Sequence, residues 1–101
     1  MEQGDLPVPQ KIYDQLGGKN FMIMIGATKL IEGNRTLSFN VKQNPKDVTH
    51  VHIISVLPDL YDVEFLKIIE CGTERLSESY NICPDDLRKI ITAETGIEIQ
   101  I

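Results

Sequence analysis

No window of this chain approaches the ~20 consecutive apolar residues that a membrane-spanning helix requires. The opening Met1-Glu2-Gln3-Gly4-Asp5 lacks the basic start and apolar centre of a secretory signal. Together these absences lead us to expect a cytoplasmic protein with no membrane partner. Cysteine is scarce. Cys71 and Cys83, twelve positions apart, match neither a C-x-x-C redox pair nor a zinc spacing, and read as two small packed or half-exposed thiols. Basic residues are scarce in the second half. Residues 51–101 carry four Lys or Arg against ten Asp or Glu, whereas residues 1–50 carry six against five. An acidic half repels phosphate backbones and attracts basic surfaces, which argues against nucleic-acid binding through it. The plainest use of that charge is solubility.

Catalytic motifs are missing too. Gly17-Gly18 has no lysine-serine continuation and closes a helix instead of opening one, so it is no phosphate loop. No Ser-His-Asp or Cys-His spacing is recognisable, although catalytic groups are assembled by the fold and not by sequence order. There is no internal repeat and no low-complexity segment, and nothing implies a cofactor or a metal. The expectation is a protein that is not an enzyme.

What is present is the make-up of one ordinary globular domain over residues 1–101, with 42% hydrophobic and 25% charged residues. Residues 1–8 read as a loose tail. Pro9 suits the first turn of a short helix in which Ile12 and Leu16 share a face, and Gly17-Gly18 ends it. Phe21 to Ile25 is apolar on both faces, and its length predicts an interior strand broken by Gly26. Ala27 to Ile31 extends it after a bend. Glu32-Gly33-Asn34-Arg35 predicts a tight turn, with Gly33 and Asn34 suited to positive φ.

Thr36 to Lys42 alternates strictly, with Leu37, Phe39 and Val41 on one face, so this strand has one side on a core and one in water. After the loop 43–47, residues 50–70 predict a hairpin around Pro58-Asp59-Leu60. Val51, Ile53, Ser55 and Leu57 share a face of its first arm; Tyr61, Val63, Phe65 and Lys67 share a face of its second. Glu74 to Ser79 reads as a further strand. Pro84-Asp85-Asp86 opens a helix with acidic residues at its positive end. Leu87, Ile90, Ile91 and Glu94 have core-side spacing, and Gly96 ends the helix. Ile97 to Ile101 alternates as a final strand or extended tail. The expected fold is α+β: a four- or five-stranded, mainly antiparallel sheet with a short N-terminal and a C-terminal helix packed on one face. Leu37, Phe39, Val41, Val51, Ile53, Val63 and Phe65 are the expected core.

Three constellations bear on function. His50 and His52 emerge from one strand face, which is half of a metal site or simply a pair of half-exposed sheet residues. Asp59, Asp62 and Glu64 gather at and beyond the hairpin turn, where solvated carboxylates are the natural reading and paired acid–base chemistry the alternative. Lys29, Lys42 and Lys46 form at most a weak basic patch, and Phe21, Phe39 and Tyr61 are the aromatics that could stack bases.

The tracts Asp14 to Phe21, Ile25 to Lys29, Leu37-Ser38-Phe39, Tyr61 to Phe65 and Leu87 to Gly96 occur in an order and spacing that resembles a group of small bacteriophage and prophage proteins, usually labelled hypothetical. The resemblance covers residues 11–101. It implies a mobile-element origin and an accessory role, and it brings no catalytic residues. The expected activity is binding to another protein, from host or phage, with inhibition of a host defence complex, such as an anti-CRISPR exerts, as its sharpest form. A virion or assembly component and a nucleic-acid-binding module are the alternatives. The expected protein-binding residues are Asp59, Asp62, Glu64, Glu70, His50 and His52. An exposed edge strand, with Ile97–Ile101 the candidate, offers a route to a homo-oligomer.

Overall fold

The computed structural model of the chain describes residues 8–57 and 60–97. The fold is α+β. Helices α1 (Val8–Leu16) and α2 (Gly18–Met24) precede a five-stranded sheet of β1 (Thr28–Gly33), β2 (Thr36–Asn40), β3 (His50–Leu57), β4 (Leu60–Ile69) and β5 (Gly72–Ile82). A 3-10 turn, Pro84–Asp86, leads into helix α3 (Leu87–Thr95). The strands lie in sequence order and every neighbouring pair is antiparallel. Residues 1–7, most of the expected tail, fall outside the described residues, but Val8 already belongs to α1.

Direct cross-strand partners share a face of a sheet, so the pairing defines both sides. Two rows point inward: Leu37, Ile53, Val63 and Ser79; and Phe39, Val51, Phe65 and Ser77. Their apolar members are fully or almost fully buried, together with Ile12, Leu16, Phe21, Met22 and Ile25 from the N-terminal helices and Leu87 and Ile91 from α3. All three helices therefore serve the same side of the sheet. Truncating Phe39 or Phe65 to alanine at such sites costs about 3–5 kcal/mol. The expected core holds, except that Val41 is only partly buried where β2 has already ended.

Phe21–Ile25 is not a strand. It lies on and just beyond α2, where Phe21, Met22 and Ile25 are buried and Ile23 is 65% exposed. Burial at i, i+1 and i+4 is a helical stripe. The apolar run hid it because exposed Ile23 looks as hydrophobic as its buried neighbours. β1 is accordingly a separate strand and not a continuation.

The β1–β2 turn also departs from expectation. Its left-handed residue is Arg35, at φ 68, and neither Gly33 nor Asn34 has positive φ. Gly33 is still paired in the strand with Thr36. A Cβ there would lie 2.3 Å from Thr36 Oγ1, so close approach is what requires glycine.

β5 runs longer than the expected Glu74–Ser79. At its end, the 3-10 turn and α3 follow Pro84 as expected, and Gly96 closes α3 at φ 75. Thr95 completes the buried stripe of that helix: its hydroxyl donates to the Ile91 carbonyl at 2.6 Å and accepts from the Ile97 amide at 3.2 Å. Ile97 is buried against the core; residues 98–101, the rest of the expected final strand or extended tail, fall outside the described residues. Among the described residues the edges are β1 and β5, and both are irregular. The pairing shifts between Thr28 and Ile31 on β1, and twice along β5, near Leu76 and Asn81. Such bulges disfavour edge-to-edge pairing.

Candidate protein-binding face

The second side of the sheet carries no helix among the described residues. Its central row runs across all five strands: Ile31, Ser38, His52, Glu64 and Glu78. Flanking it are Asn40, His50, Leu66 and Arg75 on one side, and Thr36, Ile54 and Asp62 on the other. Tyr80, two residues beyond Glu78, joins the same face on β5. Four large apolar side chains lie open to solvent on or beside this face: Ile31 at 58% exposure, Val56 at 39%, Ile68 at 55% and Tyr80 at 59%.

The polar groups between them are linked from strand to strand. His50 Nδ1 lies 2.7 Å from Asn40 Oδ1. His52 Nδ1 meets Glu64 Oε1 at 3.2 Å, and Arg75 Nη2 meets Glu64 Oε2 at the same distance. Arg75 Nη1 then reaches Glu78 Oε2 at 3.3 Å, and the Tyr80 hydroxyl donates to that same oxygen. Asp62 Oδ1 accepts the backbone N–H of Asn81 at 3.1 Å.

Burial holds the His50 imidazole below its ordinary pKa of 6.5, with His52 adding to the effect. The hydrogen bond to Glu78 pushes the Tyr80 hydroxyl above its ordinary 10, helped by the charges of Glu78 and Asp62 and opposed by Arg75.

No family model matches this chain, and neither does any curated protein or solved structure in the comparisons made.

Of the six residues expected to bind a partner, His50, His52, Asp62 and Glu64 come together on this face. Glu70 does not join them. It lies just past the far end of β4, and eight residues of extended chain set it roughly 26 Å from Asp62. Asp59 lies outside the described residues. Glu64 is also not the free carboxylate its sequence context suggests, since both oxygens are engaged. Arg75, Glu78 and Tyr80 were missed. The strand expected at Glu74–Ser79 is their signal in the sequence, and only the pairing of β4 with β5 brings them to Glu64.

The other candidates resolve differently. Among the described residues no three or more His, Cys, Asp or Glu side chains are grouped to hold a metal ion. Phe21, Phe39 and Tyr61, the aromatics considered for base stacking, are all buried in the core. Both cysteines are free and exposed, not packed. No helix among the described residues is long and apolar enough to cross a membrane. Two shallow hollows meet at Val48 on the helix-bearing side. One, of about 260 Å³, includes Lys46, Ser77 and Glu94; the other, of about 310 Å³, includes Asp47 and Lys67. Neither contains a histidine or cysteine among its described lining residues.

Proposed function

We propose that this chain is a non-enzymatic accessory protein that acts by binding another protein through the open face of its sheet. The observation that carries the reading is the face itself. A sheet side that no described helix covers exposes Ile31, Ile68 and Tyr80 around a polar row whose members hold one another in place. Apolar groups standing singly are ordinary on a surface, so the ordered polar row between them is what sets this face apart. Side chains already fixed by hydrogen bonds lose less entropy on binding. The resemblance to phage and prophage proteins supports an accessory role in the host cytoplasm, and its sharpest form is inhibition of a host defence complex.

The test is affinity capture of the tagged chain from bacterial lysate, with partners quantified for three proteins. The paired variant Ile31→Lys/Ile68→Lys alters the open face; Ile23→Lys alters an equally exposed position on the helical layer. Loss of the same partner with the face variant alone is the expected result. Equal capture by all three folded proteins refutes the proposal, as does a low-salt gel shift with DNA that needs the face residues.

A further inference from the structure

Resting on the protein-binding reading, we propose that the β4–β5 part of the open face receives a basic segment of the partner protein. One arginine or lysine side chain of that segment lies over the Tyr80 ring, between Asp62 and Glu78.

The argument begins with charge. On the paired positions of the face, Asp62, Glu64 and Glu78 stand against Arg75 alone, a formal excess of two negative charges with the histidines counted as neutral. Arg75 is shared between Glu64 and Glu78 and offsets one of their two charges. Asp62 and the uncompensated share of that pair remain, and both border Tyr80. The Glu78 carboxylate holds its hydroxyl, and Asp62 holds the backbone of the very next residue, Asn81. The ring is more than half exposed yet tied down at its tip. An aromatic face flanked by carboxylates attracts cations by both its quadrupole and its neighbours.

Charge also decides among occupants. A second copy docking with this patch on the two-fold axis brings the same carboxylates against themselves. A nucleic acid brings phosphates to carboxylates and is repelled. A basic protein segment is matched in sign, and Tyr80 gives it a rigid aromatic anchor of the kind that dominates binding energy at interfaces.

The experiment uses the full chain, labelled with ¹⁵N, and hexa-arginine as the probe. The amide signals of Asp62, Glu78, Tyr80 and Asn81 should shift saturably, and the affinity should weaken as salt is raised. Tyr80→Phe keeps the ring but loses its tie to Glu78, so it should bind between the native chain and Tyr80→Leu, which should weaken binding about three- to five-fold. Asp62→Asn should weaken it as well. Shifts produced equally by hexaglutamate, or by a short single-stranded DNA, overturn the proposal. So does a Tyr80→Leu variant that titrates like Tyr80→Phe. In the quantified capture, a partner lost with Ile31→Lys/Ile68→Lys but held by Tyr80→Leu at the full native amount removes the Tyr80 seat alone. A partner retained by every variant removes the protein-binding reading beneath it.

Discussion

Glu64 and Glu78 stand directly opposite each other on β4 and β5, and the Arg75 guanidinium closes on both carboxylates, at 3.2 and 3.3 Å. Like charges across a strand pair are destabilising, so the arrangement depends on its cation. A bulge makes this possible. Leu66 pairs with Arg75 while the preceding Phe65 pairs with Ser77, so Leu76 is extra, and the shift brings Arg75 onto the open face beside Glu78.

Arg75→Gln therefore leaves two carboxylates facing each other. The Arg75 side chain is about half exposed, so solvent weakens both the attraction lost and the repulsion uncovered. The expected loss is about 1 kcal/mol at low salt, read from urea denaturation. In a Glu64→Gln background the same change should cost clearly less, and in 1 M salt the cost should shrink. A loss of equal size in both backgrounds and at both salt levels would show that Arg75 matters through the packing of its aliphatic stem.

The His50 ring gives a pH dependence with a defined sign. It faces Asn40 from β2, His52 on its own strand and Leu66 from β4. Its pKa in the folded protein lies below the unfolded value of 6.5. The unfolded chain therefore takes up the proton first as pH falls. Its contribution to stability is complete above pH 6.5 and is lost as pH drops through the folded pKa. His50→Gln should flatten that part of the stability profile, and the imidazole NMR signal of His50 should titrate with a midpoint below 6.5. A midpoint above 6.5 contradicts this account.

Much of the fold was legible because period-two alternation in β2, β3 and β4 separates core from solvent without ambiguity. Leu37, Phe39, Val51, Ile53, Val63 and Phe65 needed no structure to be placed. β5 was harder for a physical reason. Its inward positions opposite Phe65 and Val63 are Ser77 and Ser79, so alternation carries little hydrophobic contrast there, and two bulges interrupt the period. The candidate face was half legible for the same reason. His50, His52, Asp62 and Glu64 follow from β3 and β4, whereas Arg75, Glu78 and Tyr80 depend on a register that no local pattern encodes. α2 escaped because a five-residue apolar run carries no period when its exposed member is isoleucine.

Gly26 joins α2 to β1 at φ 65, and a Cβ on it would sit 2.6 Å from Lys42 Cβ. The Lys42 amide donates to the Ile25 carbonyl at 3.0 Å, so the two segments cannot easily part. Gly26→Ala combines left-handed strain, about 1–2 kcal/mol, with a contact against the stiff base of a side chain. It should lower stability by about 2–4 kcal/mol, measured by urea denaturation. Gly18→Ala is the control: its φ of 66 carries the same left-handed strain, but its nearest neighbour is Tyr13 Cε2 at 3.7 Å, an ordinary contact, so it should cost less. Equal losses would mean that the Lys42 contact relaxes freely.

Asn44 organises the connection between β2 and β3. Its side chain is almost fully buried. Nδ2 donates to the carbonyls of Lys42 and Val48 at 2.8 and 2.7 Å, while Oδ1 accepts the amides of Lys46 and Val48 at 3.2 and 3.1 Å. The loop thus folds around one amide group and sets Val48 into the core. Asn44→Ala removes these bonds and leaves buried backbone groups unpaired, at an expected cost of about 2–4 kcal/mol. Asn44→Asp tests the donors separately, because a carboxylate still accepts from both amides but faces two carbonyl oxygens with no proton to offer. The aspartate variant should therefore be destabilised too, and acidification through the carboxylate range should recover part of the loss as the group regains a proton. Hydrogen exchange at the Val48 amide should accelerate in the alanine variant and less so in the aspartate variant. If Asn44→Asp matches the native chain at neutral pH, the two donated bonds contribute nothing and the loop is held by its accepted bonds alone.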